Sequence, residues 1–310
     1  MQNRTDSYRR PIIILVLIIL EVLLIAILLR KETPPVATDW LTAYITESDE
    51  FRAMEFGEGV LANAETVSSH LDTDMASVVA AWFSGKMEHS LEKSDSQIKQ
   101  EDFTVTINEK YCRDIILRYE QEKPIEWTKL VNGYRTVMAD LRYFPVAVDE
   151  RGLGGLSYEN GWGDPRTYGG DRVHEGTDIC DNENVRGSYP IVSMTDGVIE
   201  HIGWLEQGGY RIGIRAPHGA YFYYAHLASY AKEFTVGERV NAGQILGMMG
   251  DTGYSKVEGT TGNFVVHLHL GIYTQTDHYA ELSVNPYYFL KYLENSTVSY
   301  TKESHLWYTE

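Results

Sequence analysis

Positive charge is in short supply in this chain. Lysine and arginine number 27 against 44 aspartates and glutamates, a formal net charge of −17. Nucleic-acid binders need a basic footprint to neutralise phosphates, so that class of partner is excluded. The same deficit argues against adhesion to an anionic surface by charge attraction. Cysteine is scarce as well. Cys112 and Cys180 leave one disulfide or two free thiols open, but two cysteines build no disulfide framework. The glycines Gly247, Gly250 and Gly253 form no phosphate-binding fingerprint in a strand-to-helix context and read as turns.

Long apolar runs are limited to one, Pro11 to Leu29, nearly all Ile, Leu and Val and interrupted by Glu21. As a helix rising about 1.5 Å per residue, such a run spans roughly 28 Å, close to the hydrocarbon thickness of a bilayer. Arg4, Arg9 and Arg10 precede it against the single acid Asp6, and beyond Arg30 and Lys31 the sequence turns acidic. The expectation is an uncleaved, single-pass membrane anchor with the N-terminus inside and the remainder outside the cytoplasm. No Ala-x-Ala-like site follows Leu29, which argues against a cleaved leader. Glu21 reads as a single tolerated acid.

What is present beyond that run divides in two. Hydrophobic residues make up 43% and charged residues 23%, a globular balance, and 310 residues suit about two domains. Residues 1–31 form the cytoplasmic tip and anchor. Residues 32–143 open on a Pro-containing spacer, Glu32 to Ala37, and continue glycine-poor after Gly59. Met75-Val78-Val79-Trp82-Phe83 and Cys112-Ile115-Ile116-Tyr119 repeat at three-and-four spacing, which predicts amphipathic helices, read as a stalk or regulatory region without chemistry. From 144 to 293 glycines cluster and apolar residues alternate with polar ones, as in Gly197-Val198-Ile199 and Ile212-Gly213-Ile214. That pattern predicts an all-β sandwich or barrel-like domain. Residues 294–310 form a tail with no legible signal. Eight of the ten histidines fall after Arg151, which puts the chemistry in the β region.

Three motifs there bear on function. His174-Glu175-Gly176-Thr177-Asp178 is H-x-x-x-D, His267-Leu268-His269 is H-x-H, and His226 stands between them. Side chains alternate along a strand, so His267 and His269 share one face while Leu268 and Leu270 fill the other. Imidazole and carboxylate are ordinary zinc ligands. His174, Asp178 and one histidine of the pair supply three, with the open fourth position that distinguishes catalytic from structural zinc. His201, His218, His278 and His305 match no ligand position and read as surface or packing residues. Cys180, two residues past Asp178, reads as a small buried hydrophobe.

These residues resemble the lysostaphin/LytM-type zinc endopeptidases of cell-wall metabolism. The resemblance covers roughly Trp162 to Leu290. It is carried by Arg166-Thr167-Tyr168-Gly169-Gly170, Gly176-Thr177-Asp178-Ile179, Thr195-Asp196-Gly197-Val198-Ile199, Tyr224-Ala225-His226-Leu227, Val236 to Gln244, the H-x-H and Asn285-Pro286. It implies a LytM-type peptidase domain in which one zinc ion is held by His174, Asp178 and His269. It further implies that His226 and His267 manage proton transfer and that Tyr168 steadies the oxyanion. The implied substrate is peptidoglycan peptide and the implied activity a zinc metalloendopeptidase. A catalytically idle scaffold or activator that binds wall or membrane partners is the alternative, and a processing peptidase acting on protein is a third. A protein regulator is left open. The sequence departs from the family at Val266, where Pro usually precedes H-x-H, and in a longer loop from Tyr254 to Val266. That loop leaves the choice of substrate bond open.

Overall fold

The computed structural model describes residues 40–92, 107–168 and 170–301. Among the described residues five α-helices precede the strands: α1 (Asp49–Arg52), α2 (Val60–Leu71), α3 (Met75–Glu92), α4 (Glu109–Glu122) and α5 (Pro124–Met138). Their ends follow local chemistry. The Asn108 side chain accepts from the Tyr111 N–H at the start of α4, and Pro124 opens α5 where no amide partner is needed. The apolar stripes are buried as their spacing predicts: Val78, Val79, Trp82 and Phe83 on α3, and Cys112, Ile115 and Tyr119 on α4. A polar network crosses this core. The Tyr119 hydroxyl accepts from Trp40 Nε1 at 3.1 Å and donates to Glu88 at 2.5 Å, and Arg118 pairs with the same carboxylate.

The expected fold class needs two corrections. Among the described residues no helix is long and apolar enough to cross a membrane. The run from Pro11 to Leu29 lies outside the described residues. Nor do the helices stand apart as a stalk. The described residues from Trp40 onward form one compact unit, and the helical stripes join the strands in one buried cluster. Phe56 illustrates the join. It lies 5.8 Å from Trp82 and 6.0 Å from Tyr134, and also 5.6 Å from Phe289 on α6 (Tyr287–Leu293), the helix that follows the last strand. Periodicity shows that a helix buries one side. It does not show against what.

The β region is built on an eight-stranded antiparallel sheet. Its strands are β1 (Leu156–Tyr158), β2 (Thr177–Asp181), β3 (Gly197–Leu205), β4 (Gly209–Arg215), β5 (Tyr221–Leu227), β6 (Arg239–Val240), β7 (His267–Thr274) and β8 (Leu282–Val284). Their order is β1-β2-β7-β5-β4-β3-β6, with β8 paired to β7. A three-stranded sheet of 190–192, 245–248 and 229–230 adds Ile191, Val192 and Leu246 to the cluster that holds Phe222, Tyr224, Leu268 and Leu270. Alternation therefore sets two faces. One is apolar and buried; the other carries His267, His269, Asp178, Tyr221 and Tyr223. The α1 turn is tied to the sheet by its backbone and side chain: Arg52 Nε donates to the Ser283 carbonyl at 3.1 Å, and Asn285 N–H donates to the Arg52 carbonyl at 2.8 Å.

Candidate metal centre

The strand register assembles the histidines. On the β2–β7 pair His269 lies opposite Asp178 and His267 opposite Cys180, with Leu268 and Ile179 behind them in the core. His174 enters from the short hairpin strand Arg172–Val173 that precedes β2. The His174 Nε2, Asp178 Oδ1 and His269 Nδ1 atoms lie 2.9–3.0 Å apart. Among the described residues this is the group of His, Cys, Asp and Glu with metal-ligand spacing. Cys180 shares the face but is not part of it; it and Cys112 are free thiols, and burial pushes both upward.

Backbone carbonyls fix the state of the rings. His174 Nδ1 lies 2.9 Å from the Gly161 carbonyl, His226 Nδ1 2.7 Å from that of Thr252, and His267 Nδ1 2.7 Å from that of Val265. A carbonyl only accepts, so each Nδ1 carries a proton, and in the neutral ring Nε2 is then the nitrogen with the lone pair. For His174 that lone pair points at Asp178 Oδ1 and His269 Nδ1. At most one proton, on His269 Nδ1, is available among three acceptor atoms at hydrogen-bond distance. A divalent cation satisfies all three, so the donor set fits zinc. Burial alone would raise the Asp178 carboxyl, but its contacts with His174 and His269 outweigh this and hold it well below the usual carboxylate range. Its other oxygen takes Arg166 Nη2 at 3.2 Å.

His226 reaches the site through a β-bulge. On the β4–β5 pair Tyr210 is opposite Leu227 but Ile212 is opposite Tyr224, so β5 carries an extra residue at Ala225–His226. His226 adopts φ +62°, and its N–H donates to the Gly208 carbonyl at 2.8 Å. Strict alternation would send His226 into the core behind Ala225; the bulge re-aims it. It is 5% exposed, and burial, reinforced by His267 and His269, holds its imidazole well below its ordinary value. His267 stands 4.7 Å from it, ring to ring, with Nε2 3.7 Å from Asp178 Oδ1.

The long loop has a structural account. Arg186 grips Asp251 at 2.6 and 3.0 Å, and Asp251 also accepts from Gly262 N–H. The loop so anchored brings Phe264 to 4.6 Å and Tyr254 to 5.9 Å from the His226 ring. Tyr168 stacks on Tyr254 at 4.3 Å; Tyr254 itself lines the cleft. Val266, at the position where Pro is usual, uses the amide a proline lacks: its N–H donates to Asn184 Oδ1 at 2.7 Å.

The cleft, a cavity of about 510 Å³, extends from the His174–Asp178–His269 cluster over β5, β4 and β3. Three tyrosines lie across glycines along it. A Cβ at Gly213 would fall 1.8 Å from the Tyr221 hydroxyl, at Gly208 2.0 Å from that of Tyr223, and at Gly271 2.7 Å from the Tyr273 ring. His201 also lines the cleft, whereas His218 and His278 pair with Asp140 and Glu47 elsewhere; His305 lies outside the described residues. Sequence reasoning missed His201, Arg211 and Tyr254 as cleft residues. Arg166 stood in the motif that precedes His174, and that was its signal.

Comparisons with known proteins accord with this geometry. The sequence profile of Peptidase family M23 matches residues 172–285. The chain is 39% identical over 166 residues to the L-Ala–D-Glu endopeptidase of Bacillus subtilis (strain 168), covering 54% of this chain and 48% of that protein. It is 38% identical over 84 residues to the glycyl-glycine endopeptidase ALE-1 of Staphylococcus capitis, covering 26% and 22%. The matches thus span about half and about a fifth of these curated relatives. A solved structure from Ruminococcus gnavus, described as a candidate lytM glycyl-glycine endopeptidase, superposes with a TM-score of 0.70 at 38% identity. That superposition covers 84% of this chain and 97% of the other, more than the β region alone, so helices are shared too. With the ligand cluster, the tautomer-setting carbonyls and these similarities together, the chain belongs to peptidase family M23.

Proposed function

We propose that the chain is a zinc-dependent endopeptidase that cuts peptide bonds of peptidoglycan. The observation that carries this reading is the convergence of His174 Nε2, Asp178 Oδ1 and His269 Nδ1 beside two further imidazoles in an open cleft. His174, Asp178 and His269 are the residues that hold the metal. Zinc, when bound there, supplies a Lewis acid that polarises the scissile carbonyl and acidifies an attacking water.

The remaining work falls to the protein. His226 and His267 present Nε2 lone pairs to the cleft, because Thr252 and Val265 occupy their Nδ1 protons. Each is therefore set to take a proton from the water and return it to the leaving amine. Burial keeps His226 neutral, the form a proton acceptor needs. The Tyr168 phenol, stacked on Tyr254, is assigned to the oxyanion that develops on the carbonyl oxygen. The tyrosine-lined floor suits an extended peptide. One curated relative is named for an L-Ala–D-Glu bond and the other for glycyl-glycine, so bonds of both kinds are substrates to test. Peptidoglycan lies outside the cytoplasm, and that is the proposed place of action. An idle scaffold has no need of five intact site residues, which weighs against that alternative.

The test is zinc content and peptide release from purified peptidoglycan by the full chain, beside His269→Ala. Near-stoichiometric zinc with release of wall peptides, both lost in the variant, is the expected result. Neither zinc nor release from a folded protein sinks the reading.

A further inference from the structure

Arg211 sits on β4 between Tyr210 and Ile212, whose partners on β5 are Leu227 and Tyr224. It therefore faces the Ala225–His226 bulge, one strand from His226. His269, opposite Ala225, is one strand further. At about 4.8 Å between strands, Arg211 stands roughly 10 Å across the sheet from the ligand cluster. Both line the same cavity. The residues beside Arg211 on that face are glycines, Gly209 and Gly213 along the strand and Gly203 paired to it, and the Tyr221 hydroxyl lies over Gly213.

Its guanidinium fork is left incomplete. Nη1 of Arg211 is buried without a hydrogen-bond partner, and among the described residues Arg211 enters no ion pair. Other arginines of the β region do: Arg215 grips Glu200 at 2.6 and 3.0 Å, and Arg186 grips Asp251. Arg211 as a whole is half-buried, but a buried N–H donor without a partner is costly, and a carboxylate ligand in the cleft would complete it. The cleft also holds the carboxylates of Asp178, Glu175 and Glu281, but none of them lies within ion-pair distance of Arg211. Burial pushes the Tyr221 phenol up to about 12 and that of Tyr223 higher, so both stay neutral. Glu175 faces the Tyr273 hydroxyl instead, at 3.4 Å.

We propose that Arg211 is a specificity-determining residue that receives a free carboxylate of the substrate, so that the cleft selects glutamyl peptides over uncharged glycyl ones. This rests on the peptidase reading and names the substrate class of that same site. A glutamate has two carboxyl groups, and only one continues a peptide chain; the other remains an anion. The planar guanidinium fork matches it with two parallel N–H···O bonds. A glycyl bridge has no such group.

The test uses two short alanyl-glutamyl peptides that differ only in the free carboxylate and its isosteric amide. Their binding to the zinc-loaded full chain is measured by calorimetry, with cleavage followed in parallel. The carboxylate peptide is expected to bind roughly 10- to 100-fold tighter, the scale of a charge-assisted hydrogen bond. Arg211→Gln is expected to bring that ratio near one, and to melt no lower than the parent because it breaks no ion pair and removes an unpartnered buried donor. Arg211→Lys, which keeps the charge and loses the fork, is expected to give an intermediate ratio and decides the matter if the Gln variant does not fold. Equal binding of the two peptides by the parent chain, or an undiminished preference in the folded variants, overturns the proposal. Selective binding without cleavage upholds the carboxylate site and removes the peptidase reading. Cleavage without preference does the reverse.

Discussion

Gly176 separates His174 and Asp178, two members of the candidate metal cluster, and its hydrogen is all that fits there. An added Cβ would lie 2.4 Å from the Leu270 carbonyl oxygen and 2.7 Å from His269 Cε1. The carbonyl belongs to β7 and cannot give, so the His269 ring must. Gly176→Ala is accordingly expected to lower metal affinity by ~10- to 100-fold while the chain still folds, the scale seen when a ligand's support is lost. Zinc retention against a competing chelator measures it. Tyr168→Phe asks a separate question, because the ring stacked on Tyr254 is kept and only the hydroxyl goes. If the phenol meets the oxyanion, kcat falls about 100-fold with KM little changed; an unchanged kcat reduces Tyr168 to a stacking partner. Part of the cluster was legible at this scale, since H-x-H alternation places His267 and His269 on one face without any structure. His226 was not legible by alternation, because a bulge overturned it. Nor was Arg211, whose lack of a counter-charge depends on which strands become its neighbours.

Among the elements, β3 and β4 are joined on the cleft side of the sheet by Glu200 and Arg215. Arg215 holds the Glu200 carboxyl below its ordinary value, against a smaller upward push from burial. A depressed carboxyl stabilises the fold fully above its unfolded pKa, about 4.3, and loses that contribution as pH falls through its lower folded value. Glu200→Gln is thus expected to lower stability at neutral pH by no more than ~1 kcal/mol, given that the pair is partly exposed. The difference from the parent should close in acid below the usual carboxylate range. Denaturant titrations at the two pH values check the sign. The elements themselves were readable: three-and-four spacing gave the helices around 75–83 and 112–119, and glycine-punctuated alternation gave the strands. The ties between them were not, because a residue such as Arg52, bonded to Ser283 some 230 positions on, has no local pattern.

On the scale of the whole molecule, helices and sheet share one buried cluster, and Phe56 touches both sides of it. A shared core predicts one cooperative unfolding transition for residues 40–301, with helical signal and near-ultraviolet aromatic signal lost together. Phe56→Ala is expected to lower the stability of both by ~3–5 kcal/mol. Two separated transitions would contradict it. The division into a helical and a β region was legible from composition, but a stalk was the wrong picture. The apolar stripes, readable as faces packed against each other or against the next domain, do both: they seat the helices against α6 and the sheet.

The tyrosines laid over glycines along the cleft carry a consequence for inheritance. Tyr221 occupies the space where a side chain at Gly213 would be, Tyr223 that at Gly208, and Tyr273 that at Gly271. Neither member of such a couple can change freely while the other stays. An alanine at Gly213 becomes tolerable once Tyr221 shrinks, and a lost tyrosine leaves behind a glycine that nothing any longer requires. Descendants of this chain should therefore keep or exchange these residues in pairs, and the floor of the cleft evolves in steps of two.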